Sequence, residues 1–548
     1  MGEVVLADCR GRRNEGRKRM ENLGLGFLAA ALERGGHTAE VLDASFHGRR
    51  ADWLAARLRG RQPLLLGFSL FFNNADETLR LIRRLRRGGL RGHITLGGHH
   101  ATFTCHELLA DWPEVDSVVR GEGEEALVEL TDRLVRGLDW RDVPNVACRA
   151  PDGRLRLNPC RPLAELDRLP PPSRRAYADA IRADGWACVS SSRGCYGSCS
   201  FCSIRSFLAL QPGPCWRARS PASVVDEIEA LAHDYGVRHV NFVDDDFLGP
   251  GRRGKERALA IASLLEARRL GVTFIISARP DNLDEPTLRR LKEAGLICVD
   301  IGAESWLPRQ LEFYRKKTTP AKNNAAIETL ERVGVEYRVY LVLFDPYIAL
   351  DELEAAVMVA QRLGSRHLLD MWLFSRVQAF PGTPLAESLE RDGLLRSPFA
   401  GGAHTRDPEC RFQRPEVRRL FAAWQACQPA YAALDRRAKS LVDLKRGNPA
   451  ETLYSFELQA ALKRAALDLF RRCLRLCQSG RALRPLLERG FAQLDAQMAA
   501  IEAAQASGRF RQFAPTRLRL GREVLRFPPP AIAVLGERLV AQIQETGA

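Results

Sequence analysis

Three of the chain's 14 cysteines fall within eight positions, at Cys195, Cys199 and Cys202 of the stretch SSSRGCYGSCSFCSIRSF (Ser190–Phe207). Thiolates converging from one short loop can hold three irons of a 4Fe–4S cluster. The fourth iron is then left open to a small chelating molecule. Gly194 and Gly197 let the backbone turn tightly around such a group, and Phe201 offers it an apolar face. A structural zinc site asks for four ligands, usually as two Cys-x2-Cys pairs. Cys188 and Cys215 are loose candidates to complete one. A cluster used only for electron transfer would also ask for a fourth cysteine. Spacing and context favour the open-site cluster; zinc and no metal are the alternatives.

Other chemistry-bearing residues stand at the ends of apolar runs. Residues 3–137 alternate short runs (VVLADC, TAEVLDA, PLLLGFS, HITLGG, VDSVVRG) with amphipathic helical patterns. That alternation implies a doubly wound parallel sheet covered on both faces. Ligands of such sheets bind beyond the carboxyl ends of strands, here at Gly67–Leu70 and Gly97–Thr102. Residues 145–182 are rich in Pro and Arg and read as a linker. A second series of six strand/helix units follows, from WACVSSS to DMWLFSRVQ. Its strands end in Asp244–Asp246, Arg279, Glu304–Ser305 and Asp345, and in parallel barrels such ends carry the chemistry. Ser220 and Pro221 mark a helix start. After about residue 399 the pattern turns helical. Cys473 and Cys477, four apart on one helix, read as core.

The cysteine motif, its aromatic residue and the six units resemble the radical S-adenosylmethionine (SAM) superfamily, over about Trp186–Leu395. The resemblance implies a partial (β/α)6 barrel. It also implies a cluster whose open iron chelates the amino and carboxyl groups of SAM and cleaves it to a 5′-deoxyadenosyl radical. It places Phe201, Asp244, Asp245, Asp246, Glu304 and Ser305 at SAM: the aspartates at its amino group, Glu304–Ser305 at its ribose. A solvated acidic turn is the bland reading of the aspartates. Arg279 could add a planar fork for a carboxylate. Trp306 stands where a Gly is usual, and FDPY (Phe344–Tyr347) departs from the usual turn. FPGTPL (Phe380–Leu385) matches a common segment.

GFSL, ITLGGHHAT and VVRGEGEEAL resemble segments of cobalamin-dependent members of that superfamily. Ser69, Leu70, Gly97, Gly98, His99, Gly121, Glu122 and Gly123 are thereby implied to contact cobalamin. Asp-x-His-x-x-Gly, which supplies a lower cobalt ligand in many cobalamin domains, is missing after the first strand. DCRGRRNEG contains no His, and DASFHG (Asp43–Gly48) has the wrong spacing. Methylcobalamin without a His below cobalt is expected. The division is then 1–144 cobalamin-binding domain, 145–182 linker, 183–398 radical SAM partial barrel and 399–548 helical domain.

The resemblance implies a C-methyltransferase acting on a natural-product or peptide intermediate, with flavodoxin or ferredoxin as electron donor. Non-methylating rearrangement, ring contraction or oxidative cyclisation with the same cofactors is the second reading. A non-catalytic cobalamin sensor or carrier is the third. Trp306, Tyr314 and Tyr347 are substrate candidates at the barrel mouth. Hydrophobic residues form 45% of the chain, enough for sizeable cores, and no run of about 18 apolar residues calls for a membrane span. No signal-peptide pattern opens the chain, so a cytoplasmic location is expected. The net charge is +15. LIRRLRRGGLRG (Leu81–Gly92) spaces its arginines at helical period, the pattern of a solvated face, so neither nucleic acid nor membrane is expected as partner.

Overall fold

The computed structural model describes residues 2–9, 20–44, 46, 51–369, 371–395, 410–440, 449–506, 516–520 and 523–527. The loop after the first strand (residues 10–19) and His47, both weighed above as sources of a cobalt ligand, lie outside them. The chain divides into two units. The first comprises Met1–Gly302, Leu311–Tyr337 and Gln378–Cys410; the second comprises Ala303–Gln310, Arg338–Val377 and Arg411–Ala548.

The first unit opens with β1 (Glu3–Asp8), α1 (Leu23–Arg34), β2 (Thr38–Asp43), α2 (Ala51–Leu58), β3 (Leu65–Ser69), α3 (Ala75–Arg87) and β4 (His93–Gly97). It continues through α4 (His99–Phe103), α5 (Cys105–Asp111), β5 (Ser117–Val119) and α6 (Glu124–Arg136) to β6 (Val146–Arg149) and β7 (Leu155–Leu157). The sheet order is β2-β1-β3-β4-β5-β6-β7. β1 to β5 run parallel, and β6 and β7 add antiparallel. The central strands β1, β3 and β4 are largely apolar and buried because both faces are covered. Leu66, Phe68, Ile94 and Leu96 pack on one side, and Val4, Leu6, Leu65 and Val119 on the other. Each such side chain, fully buried, stabilises the fold by about 1.5–3 kcal/mol. The arginines of α3 pair within the domain: Arg83 with Glu114 at 2.7 Å and Arg84 with Asp52 at 2.6 Å.

The segment expected as a linker contributes more than connection. Its first residues form β6 and β7, because apolar Val146 and Ala147 continue the buried sheet. Farther on, Arg174 and Tyr177 are buried. Arg174 lies between Glu21 and Glu227 and donates to Cys188 O at 2.8 Å. Tyr177 donates to Asp43 Oδ2 at 3.1 Å.

Next come α7 (Ala178–Asp184), β8 (Trp186–Val189), β9 (Ser192–Gly194), α8 (Ser203–Leu208), β10 (Trp216–Ala218), α9 (Pro221–Tyr235), β11 (His239–Phe242) and α10 (Gly251–Ala267). They are followed by β12 (Thr273–Ala278), α11 (Glu285–Glu293), β13 (Leu296–Glu304), α12 (Pro308–Phe313), α13 (Pro320–Val333), β14 (Glu336–Leu341) and α14 (Leu350–Leu363). Ser220 caps α9 through Ser223 N at 3.3 Å, with Pro221 in the first turn. The sheet order is β14-β13-β12-β11-β8.

The sixth expected strand, DMWLFSRVQ, differs. Its described residues form a 3-10 turn at Trp372–Phe374, flanked by isolated parallel bridges Val339↔Leu368 and Phe344↔Arg376. Trp372, Leu373 and Phe374 are all buried, so no strand-like alternation survives. Their packing is tertiary: Phe374 stacks on Trp424 at 5.2 Å, and Trp424 Nε1 donates to Leu373 O at 3.1 Å.

α15 (Pro384–Arg391) belongs to the first unit. The second unit continues through α16 (Pro415–Gln425), α17 (Gln428–Ser440), α18 (Pro449–Gln478) and α19 (Arg484–Ala506). Phe344 meets Phe412, Phe421 and Phe470 edge-on, which joins these helices to the segment after β14. Cys473 and Cys477 are buried on α18. A hairpin of β15 (Thr516–Leu520) and β16 (Glu523–Phe527) follows, where only helix was expected.

Candidate functional site

The cysteine loop runs from β9 to α8, so regular elements fix both its ends. β8 stops at Val189 because Asp244 pulls the next serines out of the sheet. Asp244 Oδ2 accepts from Ser191 N at 3.2 Å, and Oδ1 accepts from the Ser191 hydroxyl at 2.9 Å and from that of Ser192. The chain then pairs β9 with β10, Gly194 opposite Trp216. Gly194 has φ +89°, and a Cβ there would overlap Cys215 O, so only glycine fits.

Within the loop Gly197 N donates to Cys195 Sγ at 3.3 Å, and Arg279 Nη1 donates to Cys199 Sγ at 3.6 Å. A Cβ on Gly197 would stand 2.7 Å from Arg279 Nη1, so this glycine makes room for the guanidinium. Ser200 anchors the middle of the loop. Its N–H donates to Tyr314 O at 2.8 Å, its hydroxyl to Phe313 O at 2.8 Å, and its carbonyl accepts from Leu385 N at 2.9 Å. FPGTPL thus finds a concrete role: Thr383 caps α15, and the next turn holds the loop. Burial pushes the Cys195 thiol up to about 12 and the Cys202 thiol up to about 11. Among the described residues no three His, Cys, Asp or Glu side chains gather as on a single metal ion. A cube takes one thiolate at each of several irons, so its ligands stand apart.

The three aspartates after β11 separate into different roles. Asp244 holds the serine turn. Asp245 Oδ2 accepts from Gly194 N at 3.0 Å and so steadies the residue before Cys195. Asp246 is fully buried, and among the described residues neither of its carboxylate oxygens has a hydrogen-bond partner of good geometry; the Arg279 backbone N–H makes only a weak approach. Burial pushes its pKa up to about 7, although Arg279 and Lys316 pull the other way. An unpartnered buried carboxylate costs several times a typical hydrogen bond.

Arg279 does not offer a free fork. Nε pairs with Asp281 Oδ1 at 3.0 Å, Nη2 donates to Lys316 O, and the guanidinium covers the Tyr196 ring at 5.3 Å. Phe201 meets Tyr314 edge-on at 5.3 Å. Tyr314, expected to contact substrate, is fully buried beneath the loop. Its ring is large and apolar, and Phe201 offers it a partner face.

Lys316 was not legible in the sequence. It is 4% exposed and acts electrostatically on both Cys202 and Asp246. Arg315 at φ +49° and Lys317 at φ +56° flank it in the left-handed region. Each such residue costs on the order of 1–3 kcal/mol and persists where the surroundings enforce it.

Glu304, Ser305, Trp306 and Tyr347 lie in the second unit. Glu304 ends β13 at φ +65°, a strained turn for a residue with a Cβ. Its carbonyl accepts from Val342 N at 2.9 Å. Ser305 is buried, donates to Gln310 Oε1 at 2.5 Å, and accepts from Leu307 N at 2.9 Å. Gln310 Nε2 reaches Asp345 Oδ2 at 2.8 Å, and Arg309 Nη2 meets the same oxygen at 2.8 Å. Trp306 is 7% exposed, whereas Tyr347 is half-buried.

In the first domain the ends of β3 and β4 come together. Ser69 lies opposite Gly97, and Leu70 N donates to Gly97 O at 2.8 Å. Gly98 has φ +92°, and a Cβ there would stand 3.0 Å from Leu70 O. Leu70 itself is fully buried in the core. His99 opens α4 and stacks on Phe207 of α8, with ring centroids 4.0 Å apart. Its Nδ1 lies 3.2 Å from Ser203 Oγ, and burial lowers its pKa to about 4.

The Gly121–Glu122–Gly123 segment, expected at cobalamin, makes several contacts within the protein. Gly121 has φ +73°, and a Cβ there would overlap the Gln211 side chain. Glu122 N donates to Gln211 Oε1 at 2.6 Å, and Glu122 pairs with Arg193 and Arg217. Gly123 precedes the first turn of α6. Buried charge needs a partner, and the β9–β10 arginines claimed this one.

Residues 13–131 match the B12 binding domain family, and residues 189–358 match the radical SAM superfamily. An uncharacterized methyltransferase of Pyrococcus horikoshii is 29% identical over 377 residues, 68% of this chain and 79% of the relative. The anaerobic magnesium-protoporphyrin IX monomethyl ester cyclase of Rubrivivax gelatinosus is 29% identical over 323 residues, 56% of each chain. The solved structure of the cobalamin-dependent SAM radical enzyme OxsB, with aqua-cobalamin and SAM bound, superposes with a TM-score of 0.74. That match has 19% identity and covers 93% of this chain and 81% of the other, a likeness of fold. No helix among the described residues is long and apolar enough to cross a membrane. With both domains matched over more than half of its length, the chain belongs to the cobalamin-dependent radical SAM superfamily, with a 4Fe–4S cluster, SAM and cobalamin as its cofactors.

Proposed function

We propose that the chain is a C-methyltransferase, acting in the cytoplasm on an unactivated carbon of a natural-product or peptide intermediate. One observation carries this reading. Within the first unit, α4, which starts at the end of β4, packs on α8, which starts directly after Cys202. The residues read as the two cofactor sites are thereby close in the fold, which supports a reading in which both cofactors act on one substrate. When bound, the cluster supplies the electron that cleaves SAM to a 5′-deoxyadenosyl radical, and methylcobalamin supplies the methyl group.

The residues fit those groups. Cys195, Cys199 and Cys202 would hold three irons, with the Arg279 N–H on the Cys199 sulfur. Asp246 is a buried acceptor with no well-placed donor among the described residues, the group that the ammonium of SAM asks for. Lys316 places a buried cation beside it. Ser69, Gly97 and Gly98 would lie along the corrinoid, Gly98 allowing close approach of the backbone. His99 is held by Phe207 and Ser203, and the cobalt would carry no His below it. Flavodoxin or ferredoxin would supply the electron.

The test is incubation of the anaerobically reconstituted chain with SAM, methylcobalamin, reductant and candidate substrates. The expected products are 5′-deoxyadenosine and a substrate heavier by one methyl. 5′-Deoxyadenosine with an unmethylated, rearranged or cyclised product would favour the second reading, which the cyclase relative supports. Both cofactors bound without SAM consumption would favour a sensor or carrier.

A further inference from the structure

We propose that the B12-binding domain positions the cysteine loop through two latches, Arg193 with Glu122 and Glu124, and His99 with Phe207, a proposal that rests on the reading of Cys195, Cys199 and Cys202 as cluster ligands. On the entering side Arg193 precedes Cys195 by two residues. Its guanidinium lies 2.7 Å from Glu124 and 3.4 Å from Glu122, and Arg217, opposite it in the ribbon, closes on Glu122. The four side chains are between 8% and 17% exposed, so the charges answer mainly to one another. Removing one partner would leave an uncompensated buried charge. On the leaving side α8 begins with Ser203, next to Cys202. Ser203 and Phe207, one turn apart, receive the edge and the face of His99.

The two latches come from consecutive strand ends of one sheet. His99 follows β4, and Glu122 and Glu124 follow β5, with Leu96 opposite Val118 between them. The carboxyl ends of β3 and β4, where cobalamin would lie, therefore share a frame with both ends of the loop. Their separation is set by these contacts rather than by the connecting chain. Arg193 and His99 are positioning residues: neither need touch a cofactor, and a displacement of about 1 Å is enough to impair a transfer step.

The test uses the full chain, reconstituted with iron and sulfide, loaded with cobalamin and reduced to cob(II)alamin and a paramagnetic cluster. Pulsed EPR then reads the separation of the two spins. Wild type is expected to give one narrow distance. Arg193→Met and His99→Ala are expected to lose that narrow peak, with iron and cobalt per chain measured alongside. Arg193→Lys and His99→Phe, which keep the charge and the stack, are expected to restore it. Loss of iron with cobalt retained in Arg193→Met would equally support a loop formed on its latch. Glu122→Gln, a milder change, reads the same latch where Arg193→Met does not fold. An unchanged distance in Glu122→Gln or Arg193→Met together with His99→Ala would overturn the proposal. A wild-type chain that assembles no cluster would instead sink the cofactor reading.

Discussion

Asp246 is the residue whose chemistry is least explained by folding alone. A buried carboxylate without a donor destabilises its surroundings by about 1–3 kcal/mol or more. Asp246→Asn is therefore expected to raise the melting temperature slightly while abolishing SAM binding, read by equilibrium dialysis on the reconstituted chain. Both effects together separate a ligand-binding role from a structural one. His93 gives a pH test remote from the site. Ser117 Oγ donates to Thr95 Oγ1, so it accepts from the neutral His93 ring at 2.8 Å. Burial lowers the His93 pKa to about 4. The unfolded chain then binds the extra proton first, so stability is expected to fall as pH drops from about 6.5 to about 4. At about 1.4 kcal/mol per pH unit the loss reaches roughly 3 kcal/mol. His93→Gln, which keeps an N–H donor but cannot titrate, is expected to flatten that part of the pH–melting curve. At this scale the gathering of the cysteines and the place of the aspartates at a strand end were legible from type and position, whereas the partners that occupy Arg279 were not. Which aspartate stays unpartnered was not, because Ser191, Ser192 and Gly194 decide it through contacts across the sheet. Lys316 was hidden because a lysine in YRKKTT reads as solvated until the backbone turns it inward.

At the scale of elements, the β9–β10 ribbon decides whether the loop can form. Gly194→Ala would put a Cβ into Cys215 O at a φ that disfavours it. Strain of roughly 1–3 kcal/mol concentrated there is expected to cut iron incorporation severely, measured as iron per chain after reconstitution. The alternating strand and helix patterns were legible because buried parallel strands are apolar throughout. The ribbon was not, since SSSRG and CWRA carry no strand signal of their own. DMWLFSRVQ was misread for the opposite reason: its apolar residues pack on Trp424 and not in a ladder. In Gly-Glu-Gly the sequence suggested a cobalamin contact, and it could not show the contacts to Arg193, Arg217 and Gln211, which come from distant segments. Arg174 and Tyr177 were obscured by a proline-rich setting that suggests an exposed connection.

At the scale of the molecule, the cysteine loop and the ends of β3 and β4 belong to one unit. The ends of β3 and β4 are held by sheet pairing and not by the cysteines. Cys199→Ala is therefore expected to lose the visible absorption of the cluster while retaining cobalamin at wild-type stoichiometry. The most direct measurement is EPR of the reduced, reconstituted chain with and without SAM. If Cys195, Cys199 and Cys202 hold the cluster and Asp246 receives SAM, the cluster g-values are expected to shift on adding SAM in wild type and to stay fixed in Asp246→Asn. A wild-type signal unchanged by saturating SAM would contradict it.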